Sequence, residues 1–214
     1  MRHPRLVAHD ADPRDGTVWV AGSPCSGKST VAAAIASASG MRLYSADERF
    51  DAHLDALVAD GAPTATKIAS MSLGARLAQP VEVQVADVVR LHVELFPSVL
   101  ADLSTSTGER VAEGAVLMPE LLVEAGVLSE QVVVLVPTPA FQLEHYRRRR
   151  WARDLVAGTD DPSSSFDTWM QRDIAYAELI TAQARAYGLR IVVNDGTRSV
   201  DGLVATVSTM LSPR

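Results

Sequence analysis

The chain has 214 residues, 47% of them apolar and 21% charged, with a formal net charge of −6. That length suits one α/β domain with a buried core and is short for two independent domains. The acidic balance argues against nucleic-acid binding through a wide basic face. No apolar run approaches the length of a membrane span, so no membrane partner is expected. A single cysteine, Cys25, excludes an internal disulfide and fits a reducing, cytoplasmic setting.

Residues 1–15 carry Arg, His, Pro and Asp without an apolar core, and read as an irregular leader with the pattern of neither a signal peptide nor an anchor. Val18, Trp19, Val20 and Ala21 then form a first strand that runs into Gly22. The segment Gly22-Ser23-Pro24-Cys25-Ser26-Gly27-Lys28-Ser29 fits the phosphate-loop pattern of Gly, four free positions, Gly-Lys and Ser or Thr. From Thr30 to Ser39 an Ala-rich stretch with Val31 and Ile35 a turn apart predicts a helix on the sheet. In such a context Gly22 and Gly27 let the backbone turn its N–H groups inward onto phosphate oxygens. Lys28 can reach the β- and γ-phosphates, Ser29 can offer its hydroxyl to Mg²⁺, and the helix N-terminus adds unpaired donors. Residues 22–30, Thr30 included, are therefore the candidate site for ATP. Cys25 reads as a small side chain at a free position of the loop, not as a catalytic thiol.

Gly40 ends the helix, and Met41 to Ser45 reads as a second strand that delivers Asp47 at its carboxyl end. Parallel sheets bind ligands there, so Asp47 is a candidate either to take a proton from an acceptor hydroxyl or to hold Mg²⁺ through water. Helical patterns follow at 51–58, at 66–79 with Lys67 and Arg76, which can contact an anionic acceptor or lie on a solvated face, and at 82–103, where Pro97 is expected to kink or divide the run. His92 shares a stripe with core residues and reads as structural. After a polar turn at Ser104 to Gly108, residues 109–117 read as a third strand carrying Glu113. No apolar run ends in Asp here, so Glu113 is a candidate for the magnesium side, unless Asp47 does both jobs.

A short helix at 119–125 precedes the clearest strand after the first, 131–136, whose VVVLV centre suits burial on both faces. The next segment carries Arg147 to Arg150 and Arg153; at about 100° per residue at most two of these can face one triphosphate. Arg150 with Arg153, or Arg147 with Arg150, are the candidate pairs. Residues 158–165 read as an exposed loop that can move, and 166–187 as a helix on which Arg172 is placed to clamp a phosphate. A fifth strand at 189–193 exits into Asn194 and the candidate base-side residues Asp195, Gly196, Thr197 and Arg198, before a last helix from Val200. Of the 20 basic residues only Lys28 and Lys67 are lysine, and arginine is the side chain best shaped for bidentate phosphate contacts.

Five strands separated by helices, with GSPCSGKS at 22–29, YSAD at 44–47, AEG at 112–114, RRRRWAR at 147–153 and NDGT at 194–197, resemble the small-molecule kinase branch of the P-loop NTPases. That branch includes nucleoside monophosphate, shikimate and gluconate kinases and the chloramphenicol phosphotransferase group. The resemblance covers about Thr17 to Leu211. It implies a three-layer fold with a five-stranded parallel sheet in the order 2-3-1-4-5, and one kinase-like domain over 1–214 with a lid at about 140–170. It also implies γ-phosphoryl transfer from MgATP to a small-molecule hydroxyl acceptor. Carried over, Lys28 is the loop lysine, Ser29 the magnesium-side hydroxyl and Asp47 the acid that acts on the acceptor. Arg147, Arg150 or Arg153 correspond loosely to lid arginines, Arg172 resembles a later one, and Asp195 to Arg198 resemble the adenine-side loop. The acceptor region shows no arginine pair of the kind that binds a monophosphate or carboxylate, which favours a neutral or polyhydroxylated acceptor. The alternatives are an NTPase with water as acceptor in a regulatory role, a nucleoside or nucleotide kinase, and a kinase acting on a nucleotide sugar. No Asn-Lys-x-Asp marks guanine recognition, and the loop lacks dinucleotide spacing.

Overall fold

The computed structural model describes residues 12–105 and 107–211. The first eleven residues of the expected leader, and Ser106 in the expected polar turn, lie outside them.

Strand β1 (Thr17–Gly22) is the centre of the sheet, and helix α1 (Lys28–Ser39) starts directly after the loop that follows it. Strand β2 is Arg42–Ser45, β3 is Arg110–Gly114, β4 is Val132–Pro137 and β5 is Arg190–Asn194. All pairs are parallel, in the order β2-β3-β1-β4-β5. The alternation of side chains along β1 sets up two cores. Trp19 and Ala21 face Leu91 and Leu95 of helix α5 (Val81–Ser104) and Tyr176 and Ile180 of α9 (Pro162–Ala186). Val20 faces Val31 and Ile35 of α1 together with Leu203 and Val207 of α10 (Val200–Leu211). With helices on both faces, β3 and β4 are buried at every position, which explains the continuous apolar run of β4.

Three segments differ from the sequence expectation. The helix predicted over 66–79 is two, α3 (Pro63–Ala69) and α4 (Leu73–Leu77), because the Ser72 side chain caps α4 by accepting from the Ala75 N–H. Helix α5 runs through Pro97 undivided. The proline removes one backbone hydrogen bond, but Leu95, Phe96, Val99 and Leu103 around it are buried and hold the helix to the sheet. Helix α9 starts at Pro162, with Asp161 accepting from the Ser164 N–H, so residues 162–165 of the expected loop at 158–165 are the first turn of the helix.

Helix α2 is Phe50–Ala59, and α3 is locked to α5 by Glu94, whose carboxylate accepts from the Thr64 and Ala65 N–H groups, each at 2.8 Å. A six-residue helix α6 (Pro119–Glu124) follows β3. Between β4 and α9 the chain forms α7 (Pro139–Arg148) and α8 (Arg150–Val156), separated at Arg149 by an extended residue (φ −80, ψ 117). Tyr146, Trp169 and Met170 form a separate buried cluster there, with Cys25 of the loop packed against it. Among the described residues, no helix is long and apolar enough to cross a membrane.

Candidate functional site

The loop between β1 and α1 is shaped by backbone requirements. A Cβ on Gly22 (φ +138) would stand 1.9 Å from the Leu135 carbonyl oxygen, so only glycine lets β1 and β4 approach there. Cys25 takes the left-handed conformation (φ 63), as does Gly27 (φ 89), a backbone path that turns successive N–H groups to one side. The loop is tied down at both ends: Ser23 N–H donates to Leu135 O at 3.2 Å, and the Asn194 amide donates to Ser26 O at 3.0 Å. The Ser23 and Ser26 hydroxyls are buried without a protein partner among the described residues, donor capacity that the fold itself leaves unused. Burial raises the Cys25 thiol above its ordinary value, against the opposing charges of Arg149 and Lys28. A thiol kept protonated is no nucleophile, in keeping with its reading as filler.

Lys28 is buried, and its Nζ lies 3.0 Å from Asp47 Oδ2. The other Asp47 oxygen accepts from the Ala115 N–H at 2.9 Å. Burial would raise the Asp47 carboxyl, but Lys28 and the Ala115 N–H outweigh it and hold the group below the usual aspartate range. Gly114 makes room for this contact, since a Cβ there (φ +154) would press to 2.8 Å from Ala46 Cβ and 3.2 Å from Asp47 Oδ1.

Glu113 also feels the charge of Lys28. It accepts from Ser29 Oγ at 2.9 Å and from Ser45 Oγ at 2.5 Å, and the β2–β3 register pairs Ser45 directly with Glu113. Burial raises the Glu113 carboxyl overall, although the bonds from Ser45 and Ser29 and the charge of Lys28 pull the other way. Ser29 therefore stands with Glu113, while Asp47 stands with Lys28. The two acids that the sequence left interchangeable have different neighbours.

Ala115, whose N–H bonds Asp47, lines a cavity of about 240 Å³ together with Pro24, Arg76, His92, Arg172 and Tyr176. His92 also lines a smaller cavity against Asp47 and Phe50. The Tyr176 hydroxyl donates to Ala115 O at 2.7 Å, so its oxygen accepts from His92 Nδ1 at 2.9 Å. That assigns the proton to Nδ1 and leaves Nε2 as an acceptor. Burial presses the His92 ring down to about 4, with Asp47 opposing and Lys28 and Arg172 assisting. His92 is buried, as its stripe predicts, and it also faces a cavity, which the stripe does not reveal.

The depressed His92 value predicts a pH effect on stability. Its folded value lies below the ordinary 6.5, so between 6.5 and about 4 the unfolded chain binds the extra proton and stability falls as pH falls. The loss from this one ring is on the order of 3 kcal/mol. Denaturant unfolding at pH 7 and pH 4 should show a smaller pH-dependent drop in His92→Asn, whose amide can still donate to Tyr176. An equal drop in both proteins would show that His92 does not drive it.

The expected lid arginines are not all brought to the loop. Arg150 is exposed and pairs with Asp154 at 3.4 Å. Arg153 lines an open cavity with Arg147 and Asp167, formed wholly by residues between 147 and 167. Arg149 is the arginine whose charge acts on the Cys25 thiol, and it lies over the Tyr146 ring at 5.4 Å and the Trp151 ring at 5.8 Å. Helical spacing did not single it out, because the break between α7 and α8 falls on it. Arg172 donates to Asp173 Oδ1 through Nε at 2.9 Å and Nη2 at 2.6 Å. Asp195 caps its own turn by accepting from Thr197, Arg198 donates to Val193 O, and Gly196 sits against the Phe141 ring of α7. Asn194 links this turn to the loop, donating to Ser26 O and accepting from the Gly196 N–H at 3.1 Å.

Arg76 and Arg172 both line the cavity of about 240 Å³, and Arg76 feels the charge of Arg172. The sequence shows no arginine pair in the region expected to take the acceptor, yet these two arginines share one cavity. The two come from α4 and α9, helices that only the tertiary fold brings together.

The all-parallel sheet in the order 2-3-1-4-5, with a glycine-lysine-serine loop between its central strand and the first helix, defines the P-loop NTPase fold. No protein-family model matches the chain, and no curated protein does. Among solved structures it is similar to the YorR protein of Bacillus subtilis in complex with phosphorylated GDP, with 13% identity, 91% of this chain and 95% of that chain covered, and a TM-score of 0.44. It is also similar to a "putative kinase from chloroflexus aurantiacus j-10-fl", with 15% identity, 92% of this chain and 100% of that chain covered, and a TM-score of 0.40. The strand order and the loop carry the fold; likenesses this distant add nothing to it.

Proposed function

We propose that the chain is an ATP-dependent phosphotransferase of the small-molecule kinase type, which moves the γ-phosphoryl group of ATP to an acceptor hydroxyl. The observation that carries this reading is the placing of Lys28 at the helix N-terminus, 3.0 Å from Asp47 just after β2, where Asp47 is bonded to Ala115, a residue that lines a cavity large enough for a small molecule.

In this reading the loop N–H groups and Lys28 hold the triphosphate tail, and Lys28 exchanges Asp47 for phosphate oxygens. Asp47, already ionised at neutral pH, orients the acceptor hydroxyl and takes its proton. Ser29 and Glu113 form a hard-oxygen donor set that suits Mg²⁺. Neutralising charge on the phosphate oxygens is the chemistry that a bound Mg²⁺ supplies. Arg149 and the 140–170 segment form the lid, and Asp195 to Arg198 border the base. Excluding water favours transfer over hydrolysis. One domain over 1–214, a cytoplasmic setting and no nucleic-acid partner complete the proposal.

Calorimetry with MgATP, followed by a broad acceptor screen reading ADP formation and product mass, tests it. ATP uptake and acceptor-dependent ADP formation are expected. A well-folded protein that takes up neither ATP nor GTP overturns the reading, and phosphate release at an undiminished rate without acceptor replaces it with simple hydrolysis.

A further inference from the structure

The charges in the acceptor cavity do not balance within the described residues. Two carboxylates line it, Asp87 and Asp173. Asp87 is met by Lys67 Nζ at 2.5 Å and by Arg90 Nη1 at 3.6 Å. Asp173 accepts two donors of Arg172 and, through its other oxygen, the Tyr146 hydroxyl at 3.3 Å. Arg76 has no ion pair among the described residues, and its Nε is buried without a partner. Much of the remaining wall is apolar, with Phe50, Leu54, Ile68 and Leu91. A cation held beside a second cation against such a wall is unfavourable unless something anionic joins it. Burial and Arg172 together press the Arg76 guanidinium below its ordinary value, in line with that geometry.

We propose that the acceptor is a hydroxylated anion, whose carboxylate or phosphate monoester group sits between Arg76 and Arg172 while its hydroxyl faces Asp47. This rests on the phosphotransferase reading and replaces the neutral acceptor expected from sequence. Arg172 retains Nη1 after bonding Asp173, and Arg76 retains its whole donor fork, enough to hold an oxyanion from two directions. Gln84 is not a competing recognition donor, because its Nε2 is engaged by Leu77 O at 3.2 Å and Gln79 O at 2.8 Å. The arrangement selects for charge first, and for an apolar or planar body second.

The test uses the full chain saturated with Mg²⁺ and a non-hydrolysable ATP analogue, so that added anions do not compete for the phosphate loop. Benzoate, inorganic phosphate and neutral benzamide are then titrated by calorimetry. Benzoate or phosphate should bind at least about tenfold more tightly than benzamide. Arg76→Gln and Arg172→Gln should each remove that preference, and Arg76→Gln should melt at or above the wild-type temperature without anion. A response to benzoate alone assigns a carboxylate, and one to phosphate alone assigns a phosphate monoester. Equal binding of benzamide, binding unchanged in Arg76→Gln, or no anion response overturns the inference while leaving the phosphotransferase reading intact. Failure of the ATP analogue to bind overturns the phosphotransferase reading instead.

Discussion

Lys28→Ala should lower turnover at least about a hundredfold, the scale of losing one electrostatic stabiliser of the transferring group, while melting within about 4 °C of wild type. The small thermal effect follows from the surroundings of the side chain. Lys28 is the first residue of α1, where alanine is a good helix former. Its partner Asp47 has a side chain 43% exposed, so water can replace the lost ammonium. The loss is then about 1 kcal/mol, which for a chain of this size is roughly 2–4 °C. Steady-state kinetics beside thermal melting checks both halves. Undiminished turnover in a stable variant would remove residues 22–29 as the transfer site, and a collapse in melting temperature would show that the Lys28–Asp47 pair is structural.

Legibility in the sequence followed the range of the interaction. The loop at 22–29 is local chemistry, so its strand, its turn and its helix could be read from residues side by side. Strand β4 could be read because a strand covered on both faces of a parallel sheet needs an unbroken apolar run. The partition of the two acids could not, because it depends on the β2–β3 register that sets Ser45 against Glu113, and register leaves no trace in composition. Helical spacing picked out Arg150 and Arg153, but the break at Arg149 resets the phase of α8 and turns Arg150 out to Asp154. Arg76 and Lys67 on one helical stretch fit contact with an anionic acceptor and a solvated face almost equally well, until α4 was separated from α3 and laid near α9. Ser72, an N-cap ahead of Leu73, was the available sign that this helix starts afresh.

Asp47→Asn should separate the two acids functionally. We expect turnover to fall by about 10²–10⁴ if Asp47 takes the acceptor proton, with a much smaller change in ATP affinity and no change in the Mg²⁺ concentration needed for half-maximal rate. The asparagine carbonyl can still accept from the Ala115 N–H, so the loop geometry at 115 survives the change. Glu113→Gln should do the reverse, raising the Mg²⁺ requirement, because Glu113 and not Asp47 meets Ser29. The pH profile supplies an independent check. Lys28 and the Ala115 N–H outweigh burial and keep Asp47 ionised below the ordinary aspartate range. The acid limb of kcat/KM from this group should therefore appear only below that range, beneath any limb set by the raised Glu113 carboxyl. Equal turnover in Asp47→Asn would remove it as the base, and a raised Mg²⁺ requirement in that variant would move Asp47 to the metal side.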